Sequence, residues 1–282
     1  MIKQYYYLTK PGIIRGNLLA TWAGFLLASK WEINLGIFLE ITAGTALIIA
    51  SGCVINNVTD RGIDKKMSRT NKRALVTGKI SVAHALFFAG VLGVAGFATI
   101  LNWLNVRTAV LGFIGWAVYI SAYAIAKRTS SLSTVIGSIA GAVPPAAGYV
   151  AVTNNYDMAA LLLFLGLVFW QMPHFYALAM RRRDDYAAAD LPVLPVKRSM
   201  RTTKYHIMAY IVAFYAAVVG LFLAGYAGLL YLVAMSVCCI WWFWSGIKGF
   251  NTKNDAKWTG AMFGYSLIVL CAYCLFISVD PR

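Results

Sequence analysis

Long apolar runs dominate this chain and restrict the folds that it can adopt. A helix that crosses a bilayer needs about 20 mainly apolar residues, and inside the hydrocarbon its backbone must satisfy its own hydrogen bonds. Nine stretches meet the length requirement: 13–29, 35–57, 81–101, 107–126, 132–152, 158–180, 205–224, 228–247 and 258–278. The sequence therefore predicts an all-α, polytopic integral membrane protein that crosses the bilayer with nine helices.

The composition agrees with a chain whose surface faces lipid. Hydrophobic residues make up 60% of the chain and charged residues 12%, whereas a soluble domain carries about 25% charged residues. The net charge of +15 does not indicate a nucleic-acid partner, because a nucleic-acid-binding domain with that charge is polar as well. No separate soluble domain interrupts residues 1–282, so we expect one transmembrane domain.

The positions of lysine and arginine predict the orientation of the helices, since cytoplasmic segments of membrane proteins carry an excess of both. With the N-terminus in the cytoplasm, 22 of the 25 basic residues fall inside, and Lys30, Arg107 and Arg282 fall outside. We therefore expect a cytoplasmic N-terminus. The N-terminal segment lacks the Arg- and Ser-rich composition of a transit peptide, which favours a bacterial plasma (inner) membrane.

Two of the predicted cytoplasmic loops, about 58–80 and 181–204, differ from the others in charge. Together they hold 14 of the 25 basic residues and five of the ten acidic ones. The acidic residues are Asp60, Asp64, Asp184, Asp185 and Asp190. Topology explains the basic residues but not the carboxylates, because Asp and Glu contribute little to orientation. We therefore expect active-site chemistry in these loops.

The first of these loops begins with a pattern that suits a hard metal ion. Asn56, Asp60 and Asp64 are spaced four residues apart, so they share one helical face. Oxygen ligands of this kind suit Mg²⁺, which usually takes one or two carboxylates together with substrate phosphates. The pattern therefore predicts a magnesium site at the end of the second spanning helix.

Helix geometry leaves several arrangements open at this site. Eight residues of helix rise about 12 Å, which is too far for Asn56 and Asp64 to ligate one ion directly. Two ions, an unwound helix near Gly62, or a ligand that acts through water would each resolve this distance. The alternative without a metal is that the two carboxylates pair with Arg61 and Lys65 at a helix end.

Basic residues follow the acidic pattern directly. Arg69 and Arg73 lie four residues apart, and Lys65 precedes them. Guanidinium groups bind phosphate oxygens in a bidentate manner and would stabilise a departing diphosphate. Acids for a metal and arginines for phosphate, together at a membrane surface, suit a lipid diphosphate whose tail stays in the bilayer.

These motifs resemble the UbiA superfamily of intramembrane prenyltransferases. The resemblance begins with residues 56–64 and continues through Arg69, Arg73, Leu75, Gly78 and residues 80–81. Further matching segments are 9–12, 141–145, 170–175, 185–186 and 192–195. The sequence Trp-Gln-Met-Pro-His-Phe at 170–175 is the segment most typical of the branch that farnesylates haem. The resemblance covers almost the whole chain, including the nine-helix layout.

Two positions depart from the family pattern. Ala74 stands where a proline is expected after the second arginine. Asp185 is followed four residues later by Ala189, so the second loop lacks the D-x-x-x-D of the quinone-making branch. The resemblance therefore does not imply a complete second metal motif. A second site for diphosphate and Mg²⁺, formed by Arg183 and Asp185, is still favoured over a basic segment that merely ends a membrane span. Asp184 is a weaker candidate for this site than Asp185.

The resemblance implies farnesyl diphosphate and haem B as substrates, Mg²⁺ as cofactor, and haem A synthase or terminal oxidase assembly as partners. His174 would serve the haem, as an iron ligand or as a base or water-positioning group near the vinyl carbon. Its alternative is a histidine that hydrogen-bonds to a neighbouring helix. The resulting assignment is catalysis for Asp60, Asp64 and His174, metal binding for Asn56, Asp60, Asp64 and Asp185, and diphosphate binding for Lys65, Arg69, Arg73 and Arg183.

Two other functions remain open from the sequence. A prenyltransferase for an aromatic or quinone precursor is disfavoured by residues 170–175 and by the missing D-x-x-x-D. A non-catalytic transporter of haem or an anionic lipid is disfavoured because transporters place paired broken helices at the bilayer midplane. Here the polar residues cluster at the predicted cytoplasmic side instead.

Overall fold

The computed structural model describes residues 2–282 as a bundle of helices. In chain order they are α1 (Ile2–Leu8), α2 (Pro11–Ser29), α3 (Leu35–Thr59), α4 (Arg61–Lys66), α5 (Val82–Trp103), α6 (Val106–Ile120), α7 (Ala122–Thr129), α8 (Ser133–Thr153), α9 (Met158–Arg181), α10 (Arg183–Ala188), α11 (Leu194–Lys197), α12 (Met200–Leu223), α13 (Leu229–Ile247) and α14 (Asp255–Val279). Extended pairing within these residues is limited to a bridge between Ala227 and Pro281. The all-α prediction is confirmed.

Among residues 2–282, eight helical segments are long and apolar enough to cross a membrane. They are α3, α5, α6 with α7, α8, α9, α12, α13 with the following 3₁₀ turn, and α14. The remaining predicted span, at 13–29, corresponds to α2, which has 19 residues and includes Arg15 and Asn17. The multi-pass architecture is confirmed, whereas the count of nine and the cytoplasmic N-terminus stay predictions.

Two boundaries differ from the prediction for local reasons. The span expected at 205–224 begins at Met200, because Ser199 caps the helix by accepting a hydrogen bond from the backbone N–H of Thr202. The span expected at 107–126 is interrupted at Ser121 and resumes as α7. This interruption lies beside the polar part of the cavity described below.

Small residues bring α2 and α8 into close backbone contact. A Cβ atom at Gly24 would lie 1.9 Å from the carbonyl oxygen of Pro145, and one at Gly148 would lie 2.0 Å from that of Thr21. No hydrophobic effect drives helices together inside lipid, so their association depends on close packing, which small residues permit. Side chains at these two glycines would therefore separate α2 from α8.

The segments 60–81 and 182–199 pack against each other and form what we call the loop end of the bundle. Met67, Ala189 and Leu191 are buried in one apolar cluster there. Lys66 Nζ lies 2.8 Å from Asp190 Oδ2, and this hydrogen bond lowers the pKa of the Asp190 carboxyl. The two charged loops thus meet in space, although more than 100 residues separate them.

Candidate active site

A cavity of about 580 Å³ extends from the loop end into the bundle. Its volume is typical of a site for a small organic molecule. Residues of α2, α3, α5, α6, α7, α8, α9 and α14 line it, together with residues of the loop end. Charged side chains are confined to the loop end, and the deeper walls are mainly aromatic, aliphatic or glycine, with a few uncharged polar side chains such as Gln171 and His174.

The end of α3 places the predicted metal ligands on one wall of this cavity. Asp60 ends α3 and α4 starts at Arg61, but the hydrogen bonds from Asp60 N to Asn56 O (2.9 Å) and from Asp64 N to Asp60 O (2.8 Å) keep the helical spacing. Asn56, Asp60 and Asp64 consequently all line the cavity. The interruption of the helix lies at Asp60, not near Gly62.

Asp60 is 2% exposed, and only one of its two carboxylate oxygens accepts a hydrogen bond. Lys127 Nζ donates to its Oδ2 at 2.6 Å, and Arg128 Nη2 lies 3.8 Å from Oδ1. Oδ1 itself is buried without a hydrogen-bond partner. A buried oxygen of this kind is costly unless a ligand satisfies it, so Asp60 has one oxygen available to the cavity.

Asp64 is also buried, and it pairs with an arginine of the same loop. Arg73 Nη1 donates to Asp64 Oδ2 at 2.7 Å and to Asn57 Oδ1 at 3.1 Å. The alternative in which Asp60 and Asp64 pair with Arg61 and Lys65 is wrong, because within residues 2–282 their ion-pair partners are Lys127, Arg128 and Arg73.

Lys10 completes this charged cluster. It lies between α1 and α2 with φ 53°, and its Nζ donates to Asn56 Oδ1 at 2.5 Å. Burial lowers the pKa of its ammonium group to about 8, and the Arg73 and Lys127 charges act in the same direction. The cluster therefore gathers three buried or half-buried cations around two carboxylates, an excess that suits an anion.

Sequence reasoning missed Lys10 and Lys127 as site residues. In the sequence, Lys10 is visible only as the residue before Pro11, and Lys127 only as part of a basic pair at the end of a span. The usable signal for Lys127 is its position four residues after Tyr123, which aligns both side chains on one helical face. That signal does not say which face points inward.

Of the other residues predicted to bind diphosphate or metal, some line the cavity and others lie outside it. Arg69 and Arg73 line the cavity, whereas Lys65, Arg183 and Asp185 do not. Lys65 and Arg183 are exposed, and Arg183 Nε donates to the Pro195 carbonyl at 3.1 Å. Asp185 accepts a hydrogen bond from Ser68 Oγ at 3.1 Å and lies between the two loops. Asp184 is exposed.

His174 lines the cavity away from the charged cluster. Its Nδ1 lies 2.7 Å from Ser266 Oγ, and Ser266 Oγ donates to the Phe263 carbonyl at 2.6 Å. Because the hydroxyl has one hydrogen, Nδ1 donates to Ser266 and Nε2 keeps its lone pair. The ring stacks on Trp170 at 5.0 Å between centroids. The imidazole is therefore fixed in orientation and tautomer.

Two tyrosines separate the charged cluster from the deeper cavity. Tyr119 and Tyr123 stack with ring centroids 5.6 Å apart and an angle of 8° between planes, and both line the cavity. They were not predicted as site residues, because alternating aromatic and apolar residues in a span are typical of packing alone.

The donor set fits magnesium better than a transition metal. Within residues 2–282 no group of three or more His, Cys, Asp or Glu side chains could hold a metal ion. Two carboxylates with one unpartnered oxygen match an ion that takes few protein ligands and completes its shell with phosphate oxygens and water. A closed tetrahedral site of nitrogen and sulfur ligands does not exist in this cluster.

Comparison with known proteins places this geometry in a family. Residues 17–268 match the model of the UbiA prenyltransferase family. Protoheme IX farnesyltransferase of Serratia proteamaculans is 46% identical over 281 residues, 99% of this chain and 95% of the relative. Protoheme IX farnesyltransferase of Pseudomonas savastanoi pv. phaseolicola is 45% identical over 280 residues, with the same shares covered.

Solved structures share the fold. A digeranylgeranylglyceryl phosphate synthase structure superposes with a TM-score of 0.83 at 20% identity, covering 99% of this chain and 97% of the other. A UbiA homologue from Archaeoglobus fulgidus bound to DMAPP and Mg²⁺ gives a TM-score of 0.74 at 15% identity, covering 95% and 99%. The chain therefore belongs to the UbiA prenyltransferase family, alongside bacterial relatives named protoheme IX farnesyltransferase.

Proposed function

We propose that this protein transfers the farnesyl group of farnesyl diphosphate to a vinyl group of haem B, with addition of water, and releases haem O and diphosphate. The relatives named protoheme IX farnesyltransferase support this function over nearly the full chain. The observation that carries it is the division of one cavity into a cationic, acid-containing end and an apolar part with a fixed histidine. We place the protein in a bacterial plasma membrane with loops 58–80 and 181–204 on the cytoplasmic side.

The cationic end binds the diphosphate. Lys10, Arg73 and Lys127 line this end at three different positions of the fold, and Arg69 lies at its rim. Charge interactions are strong there because the groups are partly removed from water. These residues stabilise the negative charge that develops on the diphosphate as its bond to C1 of the farnesyl group breaks.

Asp60, Asp64 and Asn56 are the residues that would hold magnesium. When bound, the ion neutralises diphosphate charge and fixes the orientation of the leaving group. Asp185 would add a carboxylate from the second loop. This role is supported by the hydrogen bond that Asp185 accepts from Ser68, where the two loops meet. The Archaeoglobus fulgidus homologue, whose fold this chain shares, is bound to DMAPP and Mg²⁺, which supports Mg²⁺ as the cofactor.

Breaking the C1–oxygen bond leaves a cation-like farnesyl group, which the vinyl carbon of haem attacks. Water then adds to the carbocation beside the porphyrin and loses a proton. Tyr119 and Tyr123 lie next to the cationic end, where their ring faces stabilise positive charge. The protein thus acts by positioning, by charge stabilisation and by control of water.

His174 serves the haem side of the reaction through Nε2, whose lone pair is free because Nδ1 donates to Ser266. A neutral imidazole nitrogen either ligates the iron or accepts the proton of the attacking water. Haem A synthase or terminal oxidase assembly would receive the product.

The test is to incubate the purified protein with haem B, farnesyl diphosphate and Mg²⁺ and to measure the mass of the pigments. A haem carrying farnesyl and hydroxyl groups is expected, and omission of either substrate should abolish it. Prenylation of an aromatic acid or quinone precursor but not of haem would support the alternative transferase. Binding of haem without any covalent product would support a transporter.

A further inference from the structure

Two helices line the cavity from its charged end to its far end. On α3 the lining residues recur every three or four positions between Asp60 and Thr45, and on α7 and α6 they do so between Lys127 and Thr108. Each series is therefore one face of a helix. Both begin with charge at the loop end and become apolar farther from it.

These two faces border an apolar groove. A Cβ atom at Gly112 would lie 3.3 Å from Ile48 Cδ1, and one at Gly52 would lie 3.2 Å from Tyr119 Cδ1. Glycine at these two positions lets Ile48 and the ring of Tyr119 approach the facing helix, so α3 and α6 pack closely here, and the cavity that both faces line runs alongside the contact. We call the space between this contact and Ile100 the tail groove.

The far end of the tail groove is closed and apolar. Ile100 of α5 reaches the cavity there, is 1% exposed and packs with Ile48 and Ala109. Thr108 is fully buried, and its hydroxyl donates to Asn105 Oδ1 at 2.9 Å. Because the hydroxyl is used in that hydrogen bond, Thr108 contributes its methyl group to the groove. Thr45 lines the groove from the opposite helix.

The length of the groove matches a tail of three prenyl units. Fifteen residues of α3 separate Thr45 from Asp60, a rise of about 22 Å. An extended three-unit prenyl diphosphate is on the order of 20 Å long and a four-unit one on the order of 25 Å, from a carbon–carbon bond of ~1.5 Å. The rise from Asp60 to Thr45 is therefore about the length of the three-unit molecule and shorter than the four-unit one.

We propose that Ile100, Thr45 and Thr108 form a floor that measures the prenyl tail and selects three units. This inference rests on the proposed function, since it assigns the diphosphate to the charged end. The competing route for the tail is the exposed face of α2. Gly12 and Gly16 line the cavity there, and a Cβ atom at either would meet nothing within 4 Å. A tail that left by that route would reach lipid and would not be measured, and the deep apolar groove would have no occupant.

The experiment measures equilibrium binding of geranyl, farnesyl and geranylgeranyl diphosphate, with Mg²⁺, in competition with labelled farnesyl diphosphate. Ile100→Ala deepens the groove and Thr45→Leu shortens it. Ile41→Ala is the matched control, because Ile41 is a fully buried residue of α3 that does not line the cavity. Ile100→Ala should shift the preference toward geranylgeranyl diphosphate by about tenfold, as expected for removal of methyl groups from a pocket wall.

Thr45→Leu should shift the preference toward geranyl diphosphate, and Ile41→Ala should leave it unchanged. If the unmodified protein binds the three- and four-unit molecules equally, or if neither groove variant changes the preference, the floor does not measure length. An equal shift in Ile41→Ala would likewise overturn the inference. Absence of binding by any prenyl diphosphate would overturn the proposed function together with it.

Discussion

Lys127 Nζ lies 2.6 Å from Asp60 Oδ2, although 67 residues separate them in the sequence. Lys127 lies in the last turn of α7, and Asp60 is the C-cap residue of α3. The pair therefore joins the charged ends of the two helices that line the cavity from end to end. Because Lys127 donates to Oδ2 and Oδ1 has no hydrogen-bond partner, the pair also orients the second oxygen of the carboxylate.

We expect Asp60→Ala to abolish transfer while the protein still inserts into the membrane. Among residues 2–282, this variant loses the one cavity carboxylate that has a buried oxygen without a hydrogen-bond partner. Turnover with added Mg²⁺ and with EDTA measures the effect. Asp190→Asn is the control, because Asp190 is an exposed acid of the loop end that pairs with Lys66. Near-normal turnover of Asp60→Ala in EDTA would contradict the metal assignment.

We expect Lys127→Met to lower both stability and activity. Removing one partner of a buried ion pair leaves the other charge uncompensated and costs about 3–5 kcal/mol. The double variant with Asp60→Asn should recover much of the stability but none of the activity. Thermal unfolding of the single and double variants measures the coupling between the two residues. Additive losses of stability would show that the pair is not coupled.

We expect Arg69→Lys and Arg73→Lys to lower activity clearly, although both keep the positive charge. Lysine lacks the planar fork, and Arg73 uses its guanidinium to bind Asp64 and Asn57 together. Initial rates at saturating and limiting farnesyl diphosphate measure the effect. Arg61→Lys is the matched control, since Arg61 is exposed and does not line the cavity. Full activity in both site variants would reduce these arginines to determinants of topology.

The spanning helices could be predicted from the sequence because their signal is local. Runs of apolar residues and the breaks between them place most helices within a few residues of their observed bounds, as for 158–180 and Met158–Arg181. The beginning of α12 was misplaced because Arg201 and Lys204 resemble a loop. Lys204 is instead buried, and its Nζ donates to Gly249 O and Asp255 Oδ1 at 2.8 and 2.5 Å.

The charged cluster could be predicted only in part. The spacing of Asn56, Asp60 and Asp64 defines a helical face, so their shared wall followed from the sequence. The positions of Lys10 and Lys127 did not, because these residues are 46 and 67 residues away from their partners Asn56 and Asp60 in the sequence. Which distant residues meet depends on how α2 and α7 pack against α3, and no local pattern encodes that packing.

We expect Ser266→Ala to reduce haem farnesylation without reducing the affinity for farnesyl diphosphate. The serine accepts the hydrogen bond from His174 Nδ1 and lies on α14, away from the charged cluster. Without it the imidazole loses its fixed tautomer, so Nε2 presents its lone pair only part of the time. Ser266→Thr keeps a hydroxyl and should retain more activity. Equal activity in Ser266→Ala and the unmodified protein would leave the hydrogen bond a packing contact.

We expect His174→Ala to abolish or strongly reduce haem farnesylation while farnesyl diphosphate binding stays nearly unchanged. The imidazole is fixed by Ser266 and Trp170 on the apolar side of the cavity, so its loss should not disturb the diphosphate end. His84→Ala is the control, because His84 lies at the start of α5 and bonds to Ser81 outside the cavity.

One purified sample of each histidine variant distinguishes the roles of His174. A change in the absorption spectrum of bound haem in His174→Ala would indicate that Nε2 ligates the iron. An unchanged spectrum with lost turnover would indicate that Nε2 handles water or its proton near the vinyl carbon. A lower thermal stability, together with loss of binding of both haem and farnesyl diphosphate, would mean that His174 only packs α9 against α14. A stable His174→Ala protein with normal turnover would remove His174 from the site altogether.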